Sequence, residues 1–197
     1  GNFVQTEKKE YTFENTDWNI DWCYLRFPTE ENYELSDDSA VLYGTDITLD
    51  DTDSPTFIAM RQKDFNFELS CDVSVTTGEG GITLYMCENE HYDIAVRKSG
   101  NNFEAILKLN IGGIKHIQKS IPVRTGNIKL IVRGENVSYR FYAVIGGEEV
   151  YLGSGDTKYL SSEVSGGFTG VMTGIYSVNG VSEFKNYLCR YEAGNQI

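Results

Sequence analysis

The chain has 197 residues, 40% of them hydrophobic and 23% charged, which is the composition of an ordinary globular protein and excludes a disordered one. Seventeen basic residues stand against 29 acidic ones, a net charge of −12 that argues against nucleic acid or an anionic membrane as partner, since both need a basic stripe. No apolar run reaches the ~20 residues that span a bilayer, and the first residues lack a signal-peptide core, so we expect no membrane partner; the compartment is left open, with the cytoplasm slightly favoured over secretion.

Residues 1–10 read as a tail or linker, and 11–197 as a single domain. From there the dominant period is two. In "FNFELSCDVSV" the residues Phe65, Phe67, Leu69, Cys71, Val73 and Val75 alternate with polar ones, the pattern of a strand with one buried and one wet face. It recurs at 81–87, 92–96, 103–109, 128–132 and 137–144, and more weakly at 182–191. Glycine-rich turn signals separate these segments, among them Gly112-Gly113 and Gly146-Gly147. No stretch of twelve residues holds a helical period, and "TKYLSSEV" (157–164) is long enough for one turn only. About a dozen strands at this spacing, with no repeated unit, predict an all-β sandwich and not a propeller or a solenoid.

Chemistry-bearing residues are few. The four cysteines, Cys23, Cys71, Cys87 and Cys189, form no CxxC pair, so zinc and thioredoxin-like motifs are absent. Free thiols are favoured over two disulfides. His91 and His116 have no serine, cysteine or carboxylate pattern beside them that spells a triad, and they read as solvated or hydrogen-bonded strand residues. The acidic run "TDITLDDTDSP" (Asp46, Asp50, Asp51, Asp53) lacks the glycine and closing glutamate of an EF-hand and reads as a solvated loop. Glu14 near the first strand, with Glu183 or Asn186 near the last, is a weak calcium candidate, because two or three oxygens fall short of the six to eight that calcium takes. No cofactor is expected, with structural calcium left open. Tyrosine is abundant at 13 residues, compatible with sugar stacking but equally with strand cores.

Six segments in order resemble one family. They are "DWCYLRFP" (21–28), "SPTFIAMRQKDFNFELSCDV" (54–73), "GEGGITLYMCENEHYDIAV" (78–96), "YRFYAVIGGEEVYLG" (139–153), "LSSEVSGGFTGVMTGIYSVNG" (160–180) and "SEFKNY" (182–187). They are similar to the concanavalin A-like jelly-roll β-sandwich, two antiparallel sheets, at the C-terminus of glycoside hydrolase family 43 enzymes, chiefly β-xylosidases and α-L-arabinofuranosidases. Met60 replaces the first arginine of the family's RRQ, Ala143 an aromatic, and Lys185 the final aspartate. Val150 stands near the family's tryptophan.

The resemblance implies that the chemistry belongs to a separate five-bladed propeller, an inverting glycosidase with its own carboxylates. Such a propeller needs ~20 strands, which would consume this whole chain. The expected role is therefore a non-catalytic accessory domain that packs on the propeller and helps close a pocket for xylo- or arabino-oligosaccharides, with homo-oligomers an option. Phe168 in GGFTG matches a loop phenylalanine that walls that pocket; the other reading is a core residue capping the sandwich. Arg61 and Gln62 are candidates for a sugar or interdomain contact, with a structural tie favoured. Trp22, Leu25 and Pro28 read as framework. The competing reading is an autonomous carbohydrate-binding module with Tyr85, Tyr92 and Tyr142 along a groove. A self-sufficient hydrolase, with two carboxylates facing across a cleft, has no supporting motif.

Overall fold

The computed structural model describes residues 9–161 and 170–192. The chain runs through β1 (Glu10–Thr12), β2 (Cys23–Tyr24), β3 (Tyr33–Leu35), β4 (Ser39–Tyr43), β5 (Thr56–Arg61), β6 (Phe67–Val75), β7 (Glu79–Cys87) and β8 (Glu90–Ser99). It continues through β9 (Asn102–Ile111), β10 (Ile114–Val123), β11 (Asn127–Gly134), β12 (Ser138–Ile145), β13 (Glu148–Asp156), β14 (Met172–Val178) and β15 (Val181–Tyr191). A 3-10 turn, Thr157–Leu160, stands where one helical turn is expected, and another, Glu30–Asn32, precedes β3.

These strands form two antiparallel sheets. The first has the order β13-β12-β11-β6-β15-β4-β3, with β1 also paired to β15. The second has the order β10-β9-β8-β7-β14-β5-β2. The alternation read from the sequence is what drives the packing: Leu69, Cys71, Val73 and Val75 of β6 face Ile82 and Leu84 of β7 and Ile94 of β8 across one buried core. Each such side chain, fully buried, contributes ~1.5–3 kcal/mol. The framework expected at Trp22 is met, since its ring is buried against Phe13 and Tyr187.

Two hairpins close on Gly112-Gly113 and Gly146-Gly147, where both glycines of each pair hold positive φ, 60° and 83° in the first and 62° and 81° in the second. That is the two-residue turn whose twist matches the strands, and only residues without a Cβ adopt it freely. The faint alternation at 182–191 also has a cause. The register of β15 slips between Lys185 and Leu188, with Asn186 at φ 54°, so a bulge inverts the pattern midway. β10 has no clear alternation because it is an edge strand exposed along most of its length.

Candidate functional site

The second sheet presents its outer face to a loop, residues 44–55, that folds down over it. The loop is shaped by its own short polar side chains. Asp51 Oδ2 accepts from the Thr48 backbone N–H (2.6 Å) and hydroxyl (3.1 Å), and Thr48 Oγ1 accepts from the Asp50 N–H (3.2 Å). This turn drives Leu49 into an apolar patch of Phe57, Tyr85, Ile106 and Tyr176, and aims Asp50 at the sheet beside it.

Beneath Asp50 the strand register builds two neighbouring rows. Tyr85, His91 and Asn110 lie side by side across β7, β8 and β9, and Thr83, Asp93 and Lys108 form the next row. His91 is buried, and each of its ring nitrogens meets a carboxylate: Nδ1 lies 2.9 Å from both oxygens of Asp93, and Nε2 2.9 Å from Asp50 Oδ1. Thr83 donates to Asp93 (2.7 Å) and Asn110 to Asp50 (2.7 Å). Lys115 approaches Asp50 at 3.2 Å, while Lys108 lies 2.5 Å from Glu79 and 3.9 Å from Asp93. The charges therefore alternate along one ladder: Lys115, Asp50, His91, Asp93, Lys108, Glu79. Burial alone opposes a charged imidazole, but the Asp93 and Asp50 carboxylates outweigh it and raise the His91 pKa to about 9. Burial likewise opposes ionised Asp50, yet His91, Asn110 and Lys115 hold its carboxyl well below the usual range.

The ladder ties the loop to the sheet. With both nitrogens of His91 donating, no lone pair remains for a general base. Asp50 and Asp93 clamp opposite edges of one imidazolium, and so do not flank a substrate bond as glycosidase carboxylates must. His91 is thus the hydrogen-bonded strand histidine expected, although the two carboxylates that hold it were not foreseen. The solvated acidic loop expected holds at Asp46, Asp51 and Asp53, which are exposed, and is corrected at Asp50, which turns inward. His91-x-Asp93 on one strand face was the available signal; Asp50 arrives from 41 residues away.

The other expected positions are dispersed. Tyr85, Tyr92 and Tyr142 do not share a groove. Tyr85 is buried on the outer face, stacked on His91 at 5.6 Å. Tyr92 faces the core, where its hydroxyl donates to the Asp156 carbonyl (2.7 Å) and a Cβ on Gly155 would strike its ring. Tyr142 lies half-buried on the first sheet, 5.5 Å from Tyr151. Tyr85 and Tyr92 are therefore excluded as exposed sugar platforms, since facing strands and a period of two send them to opposite sides of one sheet. Gln62 is buried and structural in its contacts: its amide donates to the Asp64 carbonyl (3.0 Å) and accepts from the Tyr139 hydroxyl (3.1 Å). Arg61 ends β5 exposed.

Glu14 and Glu183 border different depressions, and Glu183 pairs with Lys185 at 3.0 Å, so that pair does not assemble; Glu14 and Asn186 border the same depression, and the Asn186 amide donates to Asp72 (2.7 Å). Glu183 stands in register with Val41 and Ser74, whereas β1 meets β15 beyond the bulge. Among the described residues no group of three His, Cys, Asp or Glu is arranged to hold a metal ion. All four cysteines are free thiols. Phe168 lies outside the described residues.

Residues 10–188 match the family model described as the beta xylosidase C-terminal concanavalin A-like domain. The chain belongs to this family. It is similar to the non-reducing end alpha-L-arabinofuranosidase BoGH43B of Bacteroides ovatus, 29% identical over 173 residues, which are 84% of this chain and 32% of the relative. Among solved structures it resembles Bacteroides ovatus xyloglucan PUL GH43B, with a TM-score of 0.83 and 24% identity over 98% of this chain and 41% of that one. The xylan beta-1,4-xylosidase of Bacillus halodurans gives a TM-score of 0.78 and 18% identity over 96% and 40%. The chain thus spans about a third of the curated relative's length. It is the sandwich of these family 43 proteins, the non-catalytic domain, and every described strand is used in its two sheets.

Proposed function

We propose that this sandwich serves a xylosidase- or arabinofuranosidase-type glycosidase by packing on a catalytic five-bladed propeller and helping to close its sugar pocket. The observation that carries the reading is one of coverage: the likeness extends over 98% of this chain but only 41% of the Bacteroides ovatus protein. The ladder adds a physical reason, since its histidine and carboxylates are spent on one another. Phe168, matched through GGFTG, is assigned the pocket wall, where an apolar ring excludes water and limits the sugars admitted. Gly170, which resumes the described chain, lies against Met86, and Arg61 pairs across from Met172 at the same end of the sheet. Arg61 is therefore assigned to the interdomain contact.

The test is made in an intact family 43 enzyme carrying this sandwich. Phe168→Ala lowers kcat/KM on xylosides or arabinofuranosides while the enzyme stays folded and assembled. Unchanged kcat/KM in that variant would remove the lid; full activity after deleting the sandwich would remove the whole reading.

A further inference from the structure

The strands gather the connections of the sandwich at two ends, and the ends differ in what they expose. At one end five connections, residues 76–78, 100–101, 124–126, 146–147 and 179–180, hold only glycine, threonine, asparagine and arginine. At the other end four large apolar side chains face solvent. They are Ile20 before β2 (80% exposed), Ile114 at the start of β10 (77%), Val137 between β11 and β12 (73%) and Tyr159 after β13 (42%). The register puts these at one end. Met172 faces both Arg61 and Tyr85, and Glu90 faces both Cys87 and Ile111, the partner of Ile114. Ile20 lies three residues before Cys23, whose partner Ala59 is two residues from Arg61. Thr157 donates its N–H to the Val137 carbonyl (3.1 Å) and its hydroxyl to that of Asn136 (2.9 Å), which brings Val137 to the turn that carries Tyr159. The Tyr92 hydroxyl, bonded to the Asp156 carbonyl, joins that turn to the start of β8.

Phe27, 91% exposed, is tied to the same end. Arg26 before it holds φ 56°, a left-handed conformation that strains a residue with a Cβ. The Arg26 guanidinium reaches the Asp53 carbonyl (2.5 Å) and Glu88 in the β7–β8 turn (3.5 Å), and Ser54 Oγ accepts the Phe27 N–H (3.0 Å). The strained backbone is thus fastened on three sides with its aromatic ring in solvent. At the opposite end the one counterpart among the described residues is Val181, and Tyr24, Ile117 and Tyr151 lie along edge strands. Single exposed apolar residues are ordinary on a surface; a group of them on one end marks a contact.

We propose that this end is the docking surface of the sandwich, and that its occupant is the catalytic body that precedes the domain in family 43 chains. The inference rests on the function proposed above and adds which surface and which side chains are used. The path of the chain favours that occupant. Tyr191 donates its N–H to the Lys9 carbonyl (2.8 Å) and faces Phe67, so β1 begins at this same end. The family model is a C-terminal domain, and the chain matches only 32% of the Bacteroides ovatus relative, so most of such a protein precedes this point. A body joined there is held at an effective concentration in the millimolar range, ahead of any free copy. Size agrees as well. Seven strands ~4.8 Å apart and two sheets ~10 Å apart make an end of roughly 30 by 20 Å, the scale of contacts between domains and too wide for one or two sugar rings. The exposed Arg61, Lys63 and Glu135 supply the polar rim around an apolar centre.

The test compares amide hydrogen exchange of this chain alone with that of an intact family 43 enzyme carrying it. Residues 18–22, 135–138 and 157–160 should exchange about tenfold more slowly in the intact enzyme, with the five opposite connections unchanged. The surface pair Ile20→Asp and Val137→Asp should abolish the slowing, and Val181→Asp should leave it intact. Circular dichroism of the same variants in the chain alone confirms that they fold; should the pair fail to fold, Phe27→Ser replaces it. Slowing at the opposite connections, or only on the outer face of the first sheet, overturns this surface and leaves the packing on a propeller standing. Slowing nowhere overturns both. Slowing in the chain alone that grows with its concentration makes the occupant a second copy and overturns the proposal.

Discussion

The two sheets carry similar ion pairs on their outer faces, yet only one face is covered. On the first sheet Arg133 bridges Glu68 (2.8 Å) and Glu149 (2.7 and 2.8 Å) in water, with both carboxylate side chains 46% exposed. On the second, the loop over residues 44–55 removes water from His91 and Asp93, whose side chains are 4% and 1% exposed. The bond lengths are alike; the solvent is not. Exposed charges are already well served by water, so pairing them gains little, whereas a buried charge stripped of its partner has nothing to replace it.

The largest effect is therefore expected at Asp93. Asp93→Ala leaves a buried imidazole facing one carboxylate in place of two, and strands the Thr83 hydroxyl. Urea unfolding should show a loss of about 3–5 kcal/mol. A loss below about 1 kcal/mol would place the ladder with the exposed pairs and erase the contrast between the faces.

The next effect is one of pH. His91 is raised from its ordinary value to about 9, so its stabilisation is complete below about pH 6.5 and is lost as pH climbs through about 9. Two to three pKa units correspond to ~3 kcal/mol. Asp50 acts at the other side: held low, it contributes above its ordinary carboxylate range and loses that contribution in strong acid. Stability measured from pH 6 to pH 10 should decline in the native chain and stay flatter in His91→Gln. Parallel profiles would show that the imidazole is not charged in the fold.

Asp50→Asn sharpens the comparison more gently. It keeps the side chain's shape but removes the loop's charge, and about 1–3 kcal/mol is the expected cost of weakening a charge-assisted pair. Hydrogen exchange should quicken first in residues 44–55, with β7 to β9 little affected. Uniform acceleration across the sheet would mean that the loop and the sheet open as one unit.

How much of this was legible in the sequence follows from the range of each interaction. The period of two is local, so β6, β8, β9 and β12 could be read directly from Phe67, Tyr92, Ala105 or Phe141 and their neighbours. The short edge strands β2 and β3 and the exposed β10 carry no alternation, because neither face of them is consistently buried. At the site, His91-x-Asp93 lay in plain view as same-face neighbours, but their significance did not. It depends on Thr83 and Lys108, which only the strand register supplies, and on Asp50, which a loop closure supplies. Tyr85 and Tyr92 failed for the same reason in reverse: composition counts aromatics without saying which face receives them.

The smallest effect belongs to Arg133. Arg133→Ala removes both exposed bridges and a guanidinium 4.7 Å over the Tyr142 ring, and the expected cost is only about 1 kcal/mol. Salt separates it from the ladder better than its size does. Raising ionic strength from 0.1 to 1 M shortens the screening length from about 10 to about 3 Å, so the difference between native chain and Arg133→Ala should shrink. The cost of Asp93→Ala should persist, because ions cannot enter where the loop has already expelled water. If both costs fell together, the cover over the second sheet would be too loose to exclude solvent, and the distinction between the two faces would be one of geometry alone.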